Sequence, residues 1–177
     1  WLVEESREEL AVQESYAFIH GDGSKKPSGF LAGTPENVGD DDSPARTAGE
    51  LEYIKTGDSA GFPSIDDSPP GYPGDLIMDL IYTLKASYRR NAVFMMNSLT
   101  AATVRKFKDK DGNYLWRDGL AAGEPSLLGG YPVVIAEDMP DVGSGNFPIA
   151  FGNFQRGYVV NDLFDIRITE DANITTP

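Results

Sequence analysis

Residues 75–97 constrain the fold of this chain most, because a helical pattern there leads directly into a short apolar run. Large apolar side chains recur every four residues, at Leu76, Leu80, Leu84 and Tyr88, with Ile77 and Ile81 beside them. This spacing predicts an amphipathic helix over 76–88. Asp75 is suited to cap its N-terminus, and Arg89 and Arg90 to lie at its negative C-terminal end.

A buried strand is predicted directly after this helix. The sequence AVFMMN, residues 92–97, is a short apolar run of the kind found in strands covered on both faces. Ser98 is a candidate cap for a second helix from Leu99 to about Phe107. Further strand-like runs, separated by turns with Gly or Pro, are YLW at 114–116, PVVI at 132–135, FPIAFGNF at 147–154, RGYVVND at 156–162 and LFDIRIT at 163–169. Helices and strands therefore mix along the chain, which indicates an α+β fold.

The N-terminal region is predicted to be a helix that ends at a glycine turn. Residues 2–19 are rich in helix formers, which predicts an amphipathic helix with a stripe that contains Val3, Leu10 and Ala17. Gly21 and Gly23 can adopt the positive φ of a helix C-cap. His20, the one histidine of the chain, lies in the last turn, where a cation meets the negative helix end favourably.

A long irregular segment follows this helix. From Gly33 to Gly74 the sequence is rich in Gly, Pro, Ser and Asp, and it includes the acidic run 40–42. About forty residues with so little regular structure are uncommon inside a compact domain. We expect this segment to be mobile or held by contacts from outside the chain, with short strands at most over 51–55.

Composition excludes several classes of function. The chain has 15 Lys and Arg against 28 Asp and Glu, a formal net charge of -13, so tight nucleic-acid binding is not expected. It has no cysteine and a single histidine, which argues against thiolate chemistry and most His-based metal sites. No apolar run approaches the roughly 18 residues of a membrane span. A reducing cytoplasm suits a chain without cysteine. Because the chain starts at Trp1 and stops at Pro177 soon after a strand-like run, we expect a fragment of a longer protein.

Three short motifs invite a chemical interpretation. HGDGS, 20–24, has glycines that close a helix, whereas a phosphate-binding loop opens one. DKDGN, 109–113, alternates oxygen ligands as a calcium loop does, but its glycine is misplaced and Leu120 stands where a bidentate Glu is required, which favours a plain turn. EDMPD, 137–141, groups carboxylates that could form a general acid and base pair in a small cytoplasmic α/β enzyme. No metal or cofactor is expected.

Several stretches, taken in order, resemble the major capsid proteins of tailed bacteriophages, a family whose fold is shared with encapsulin shells. AVQESYAFIHGDGSKKPSGFL is similar to the end of the long helix and the glycine turn of that family. It is followed, in the family's order, by DLIMDLIYTLKASYRRN, AVFMMNSLTAATVRKFKDKDGNYLW, SLLGGYPVVIAEDMP and IAFGNFQRGYVVND. The similarity runs from about Leu10 to Thr169. Each stretch alone is a weak signal, but the ordered series is specific.

The resemblance implies the phage major capsid fold, with an axial domain of mixed sheet flanked by helices. It places the end of a spine helix in 1–20, a connection with part of a peripheral domain in 21–74, and the axial domain in 75–177. The implied function is a non-enzymatic structural subunit of an icosahedral phage or prophage capsid in the virion. Such subunits assemble into pentamers and hexamers that enclose DNA, with scaffold and portal proteins as further partners. An encapsulin-like compartment shell is the alternative with the same fold.

The resemblance also places one segment at the capsomer axis. KDKDGNYLWRDGLAAG, residues 108–123, corresponds by order to the loop that approaches the five-fold or six-fold centre. It combines large apolar groups with charges, as contact surfaces do. The candidate contact residues are Asp109, Asp111, Asn113, Tyr114, Trp116, Arg117 and Asp118. The alternative is that Trp116 lies in the core of its own subunit and that DKDG is a plain hairpin turn.

Overall fold

A four-stranded sheet forms the centre of the structure, a computed structural model that describes residues 2–58, 61–64, 71–109, 111–116 and 127–161. In chain order the elements are α1 (Leu2–His20), α2 (Pro73–Thr83), α3 (Ala86–Arg89), β1 (Val93–Met96), α4 (Ser98–Arg105), β2 (Leu127–Leu128), β3 (Tyr131–Ile135), β4 (Ile149–Gly152) and α5 (Phe154–Gly157). The strand order is β2-β3-β1-β4. Strand β1 pairs with β3 in parallel and with β4 in antiparallel orientation. The predicted mixed α+β architecture is confirmed.

Strand β1 is a central strand with a neighbour on each edge. Phe94 and Met96 are each 0% exposed, whereas the intervening Val93 and Met95 are half-buried. The ring centroids of Phe94 and Phe151, the latter on β4, are 4.5 Å apart. The strand predicted within AVFMMN is therefore confirmed, but its second face, with Val93 and Met95, is half-buried and not fully covered as predicted.

Helices α2 and α4 pack on the buried side of this strand. The core cluster comprises Ile77, Ile81, Phe94, Met96, Ala101, Val104, Trp116 and Leu128. Ile77 and Ile81 are one helical turn apart on α2, which is the spacing the sequence pattern uses. Burying an aliphatic or aromatic side chain of this size contributes about 1.5–3 kcal/mol. These contacts hold the two helices against the sheet.

Helix α2 differs from its prediction at both ends. It begins at Pro73, and Asp75 lies in its first turn instead of capping it. Proline is favoured at the first helical position because its missing N–H has no partner to lose there. Leu84 leaves the helical region with φ -71° and ψ 126°, so the helix predicted over 76–88 ends at Thr83.

Helix α4 is capped by Asn97, one residue before the predicted cap Ser98. The Asn97 Oδ1 atom accepts a hydrogen bond from the Thr100 backbone N–H at 2.7 Å. Its Nδ2 atom donates to the Met139 carbonyl at 3.0 Å and to Asp141 Oδ1 at 2.7 Å. The side chain is 4% exposed. Asn97 therefore starts the helix and also ties it to the loop after β3.

Helix α1 confirms the predicted helix, but the prediction of one amphipathic stripe is wrong. At about 100° per residue, Leu10 and Ala17 lie on one side of the helix, and Val12 and Ile19 on the opposite side. Ala17 and Ile19 are buried at 6% and 5% exposure, while Leu10 and Val12 are 40% and 60% exposed. Burial is thus concentrated in the last turn of α1.

The glycine turn after α1 folds back onto the helix end. The Phe30 backbone N–H donates to the Phe18 carbonyl at 3.0 Å, which satisfies a carbonyl that the helix leaves free. Gly23 has a φ of 74°, as the C-cap prediction requires. Gly21 has no positive φ. Glycine is required at this position because of close packing, since a Cβ there would lie 2.0 Å from the Pro27 carbonyl oxygen.

The segment 33–58 is irregular, as predicted. An isolated bridge between Glu36 and Glu52 takes the place of the short strand expected over 51–55. The Arg46 guanidinium pairs with Asp40 at 2.5 Å and with Glu52 at 2.9 Å. The segment is therefore held in part by its own ion pairs. Its mobility stays a prediction.

The predicted strands of the C-terminal half have different outcomes. Strands β3 and β4 confirm PVVI and part of FPIAFGNF. YLW forms only an isolated bridge between Lys108 and Tyr114, and residues 158–161 of RGYVVND belong to no strand. Val159 is 80% exposed, so its side chain packs little against the described residues. The predicted strand 163–169 lies outside the described residues.

Candidate functional site

The candidate contact segment contains a tight turn built around one carboxylate. Asp109 Oδ1 accepts the backbone N–H of Asp111 at 2.9 Å and that of Asn113 at 2.8 Å. The Asp109 N–H in turn donates to the Asn113 carbonyl at 2.9 Å. Gly112 has a φ of 81°, a left-handed conformation that favours glycine. Asp109 is therefore the residue that forms this turn, and the predicted DKDG turn is confirmed.

Side chains around the turn lie on the surface. Asp111 and Asn113 are exposed, and Tyr114 and Leu115 are 52% and 51% exposed. The Lys108 ammonium lies 5.0 Å from the centroid of the Tyr114 ring, within cation–π range. The segment thus presents apolar surface beside charges of both signs.

Trp116 lies in the core of its own chain. It is 7% exposed and belongs to the cluster that contains Phe94 and Ile77. The Arg105 guanidinium covers its ring at 4.9 Å from the centroid. The prediction of Trp116 as an exposed contact residue is therefore wrong, and the alternative, burial in the core of its own subunit, describes its position. Arg117 and Asp118 lie outside the described residues.

The carboxylates of EDMPD serve the ends of secondary structure elements. Glu137 accepts hydrogen bonds from the Ser98 hydroxyl and from the Ser98 backbone N–H, at the start of α4. Asp141 accepts from Asn97 Nδ2, at the same helix end. Among the described residues, the hydrogen bonds of both groups are with Ser98 and Asn97 at the start of α4. The arrangement gives no support to the acid and base pair of the enzyme alternative.

His20 lies at the C-terminal end of α1, as predicted. Its Nε2 atom is 2.7 Å from the Asp138 carbonyl oxygen, and its ring centroid is 5.0 Å from that of Tyr16. The contact joins α1 to the loop after β3. Within the described ranges, no cluster of acidic or histidine side chains is placed to hold a metal ion. No helix of that part of the chain has the length and hydropathy of a membrane span.

Sequence reasoning missed the aromatic group that anchors α1. The Tyr158 ring lies 6.2 Å from Phe18 and 6.3 Å from Phe30, and its hydroxyl donates to the Ser28 carbonyl at 2.8 Å. Burial raises the pKa of the Tyr158 hydroxyl. Ser28 and Tyr158 are 130 residues apart, so no local pattern could reveal the contact. Asn97 was detectable in principle, because asparagine is a strong N-cap residue.

Polar side chains in the described structure cap helices, form turns and join elements. No nucleophile, base and orienting group come together among these residues, and the exposed turn carries apolar and charged groups. The sequence model of the phage capsid family matches residues 1–177, so the chain belongs to that family. Family membership sets aside the small-enzyme alternative.

The solved structures similar to this chain include two capsids of GTA particles. The capsid of an empty GTA particle computed with C5 symmetry has 47% sequence identity and a TM-score of 0.73, with 87% of this chain and 49% of that chain covered. The capsid of a native GTA particle, also computed with C5 symmetry, has 47% identity and a TM-score of 0.72, with 87% and 53% covered. This chain thus spans about half the length of both capsid chains. A comparison with curated proteins gave no match.

Proposed function

We propose that this chain is part of a structural subunit of a phage-like capsid shell. The observation that carries the proposal is the family match over the whole chain, together with 47% identity to capsids of GTA particles. Residues 1–20 would form the end of the spine helix, 21–74 the connection to the peripheral domain, and 75–177 the axial domain. The long, largely uncovered α1 and the sheet with α2 and α4 support this division.

The subunit would assemble into ring-shaped capsomers. The two GTA capsids are described with C5 symmetry, which supports a five-fold ring for the present subunit, and hexamers would complete a closed shell. A ring contact is heterologous, so each subunit must offer two different faces. Contacts with scaffold and portal proteins remain predictions. The particle would be a virion capsid assembled in the host cytoplasm.

The 109–113 turn and its neighbours are the proposed contact at the ring axis. Asp111, Asn113 and Tyr114 are exposed on it, and Arg117 and Asp118 are predicted to extend it. Trp116 is buried in the core and adds little exposed area to this surface. Asp109 also acts indirectly, since its carboxylate fixes the turn that presents the others.

Electron microscopy of the full-length gene product tests the proposed function. We expect rings and closed shells when the protein is expressed alone or with its scaffold, because family members carry their assembly contacts in the subunit. Sizing chromatography of the same preparation should show oligomers far larger than a monomer. A product that stays monomeric in both settings would contradict the proposal.

Reversing the charge of Asp111 tests the proposed axial contact. Since Asp111 is exposed and accepts no structural hydrogen bond through its side chain in the described contacts, Asp111→Lys should leave circular dichroism and Tm nearly unchanged. A lost charge pair of about 1 kcal/mol at each contact would lower its equilibrium constant roughly fivefold, so the yield of rings should fall at least that much.

Two further variants give this experiment its controls. Glu14→Lys, an exposed reversal on α1, makes the same change in net charge and should assemble normally. Asp109→Lys is unsuitable as a pure contact variant, because it removes the acceptor of the turn and should lower Tm as well. Normal ring yield from Asp111→Lys would remove this turn from the axis.

A further inference from the structure

A patch of arginines and tyrosines lies on the surface where α2, α3 and α5 meet. We call it the arginine–tyrosine patch, and it consists of Tyr82, Tyr88, Arg89, Arg90 and Arg156. The Arg89 guanidinium is 4.7 Å from the Tyr82 ring centroid, and that of Arg156 is 5.4 Å from Tyr88. Tyr82 and Tyr88 are 67% and 46% exposed. Arginine and tyrosine are the residue types most enriched at the centres of protein contacts.

The patch is held in place by backbone contacts. Arg89 Nε donates to the Leu84 carbonyl at 2.7 Å, at the point where α2 ends. Asn153 Nδ2 donates to the Arg90 carbonyl at 2.8 Å, which ties α3 to the start of α5. Ordered side chains lose less conformational entropy when a partner binds. The patch is therefore prepared for an interaction.

Charge distinguishes this patch from the rest of the chain. A formal net charge of -13 makes copies of the chain repel one another on average, so a contact between copies needs local positive surface. The neighbouring Lys85 ammonium is already paired with Asp40 at 3.4 Å and Asp41 at 3.6 Å. The exposed Arg90 and Arg156 of the patch thus offer positive charge to a partner.

Helix α1 carries a face of complementary character. At about 100° per residue, one side of the helix groups Glu5, Glu8, Glu9, Val12 and Tyr16. All five side chains are exposed, with Val12 at 60% and Tyr16 at 53%. We call this side the acidic face of α1. Its carboxylates can form ion pairs with arginines, and Val12 and Tyr16 can pack against tyrosine rings.

We propose that the arginine–tyrosine patch of one copy binds the acidic face of α1 in a second copy. The inference rests on the proposed function, since it requires that copies assemble. The two surfaces differ, so the contact is heterologous and can continue from copy to copy around a shell. Because the contact would cover α1, it would also bury Val12 and Tyr16.

Nucleic acid is the other polyanion that arginines and aromatic rings could bind. Only a small patch of an otherwise acidic surface would face it, whereas phosphate binding depends on extended basic surface. A second copy brings both carboxylates and exposed apolar side chains on its acidic face. The protein partner therefore accounts for the tyrosines as well as the arginines.

A charge exchange in the full-length gene product tests this contact. Arg90→Glu with Arg156→Glu should reduce the yield of shells at least tenfold, and so should Glu5→Lys with Glu8→Lys. Combining all four substitutions should restore assembly to within about threefold of wild type, because the attraction returns with reversed signs. Arg89 is left unchanged because it bonds to the end of α2. Yields are measured by sedimentation and electron microscopy, and folding by circular dichroism.

The controls separate this inference from the proposed function. Lys26→Glu with Lys55→Glu changes two exposed lysines outside both faces and should assemble normally. If wild type forms no particles, the proposed function fails and the inference with it. If wild type assembles, normal yields from the two pairs, or failure of the fourfold variant to recover, would overturn the inference alone. Normal shells that lose nucleic acid in the arginine variant would assign the patch to nucleic acid and overturn it too.

Discussion

Replacing Gly29 with alanine is expected to destabilise the glycine turn severely. A Cβ at this position would lie 2.3 Å from the Ile19 carbonyl oxygen and 2.6 Å from the His20 nitrogen. Both are backbone atoms of the last turn of α1, so neither can rotate away as a side chain would. The turn would have to separate from the helix and lose the bonds from Gly29 to Gly21 and from Leu31 to Ile19.

The expected cost is about 3 kcal/mol or more, which is the upper range for overpacking in a close-packed site. For a chain of this size that corresponds to a Tm lower by roughly 6–12 °C. Gly157→Ala is the matched control, because no atom lies within 4 Å of a Cβ there and α5 is helical. It should leave Tm within about 2 °C of wild type. Equal Tm values for the two variants would show that the turn does not need glycine at 29.

Asn97→Ala is expected to have the second largest effect. Loss of the cap on the Thr100 N–H costs about 1 kcal/mol. The Met139 carbonyl would lose its donor in a site where Met139 is 2% exposed, which costs about 1–3 kcal/mol more. Together these terms predict a loss of about 2–4 kcal/mol in the free energy of unfolding, measured by urea denaturation.

Asn97→Asp separates the two roles of this side chain. The carboxylate can still accept from the Thr100 N–H, but it has no donor for Met139 and it faces Asp141. Stability should therefore fall below that of wild type in urea denaturation, because the Met139 carbonyl loses its donor and two carboxyl groups come close together. A fully stable Asn97→Ala variant would show that α4 and the 139–141 loop do not depend on this residue.

The sequence predicts elements well where one local pattern decides them. Apolar spacing identified α2, and an apolar run identified β1, because burial in the core produces both patterns. The end of α2 could not be predicted, since the stripe continues through Leu84 and Tyr88 while the backbone leaves the helix at Leu84. The strand predicted over 156–162 is wrong over the described residues 156–161, because β-forming residues such as Val159 form a strand only in a suitable tertiary context.

The candidate site was predicted in part. The DKDG turn follows from local chemistry, because the aspartate side chain accepts backbone N–H hydrogen bonds and glycine readily adopts a positive φ. The burial of Trp116 depends on packing in a core that includes α2, which ends far before it in sequence, so its two alternatives could not be separated beforehand. The arginine–tyrosine patch combines residues 82–90 with Arg156, and the acidic face of α1 is masked in sequence by apolar residues on other sides of the helix.

The contacts at the C-terminal end of α1 affect the direction of the whole helix. Nineteen residues span roughly 28 Å, and among the described residues the buried side chains of α1, Ala17 and Ile19, lie in its last turn, where the glycine turn and Tyr158 contact the helix. A tilt of about 10° at this anchor would displace the free end by about 5 Å. In an assembled shell, the stiffness of the contact between α1 and the glycine turn would therefore determine how accurately a subunit at the other end of α1 is positioned. In a closed shell, that positional error becomes an error in curvature, so the close packing at Gly21 and Gly29 would limit the range of particle sizes.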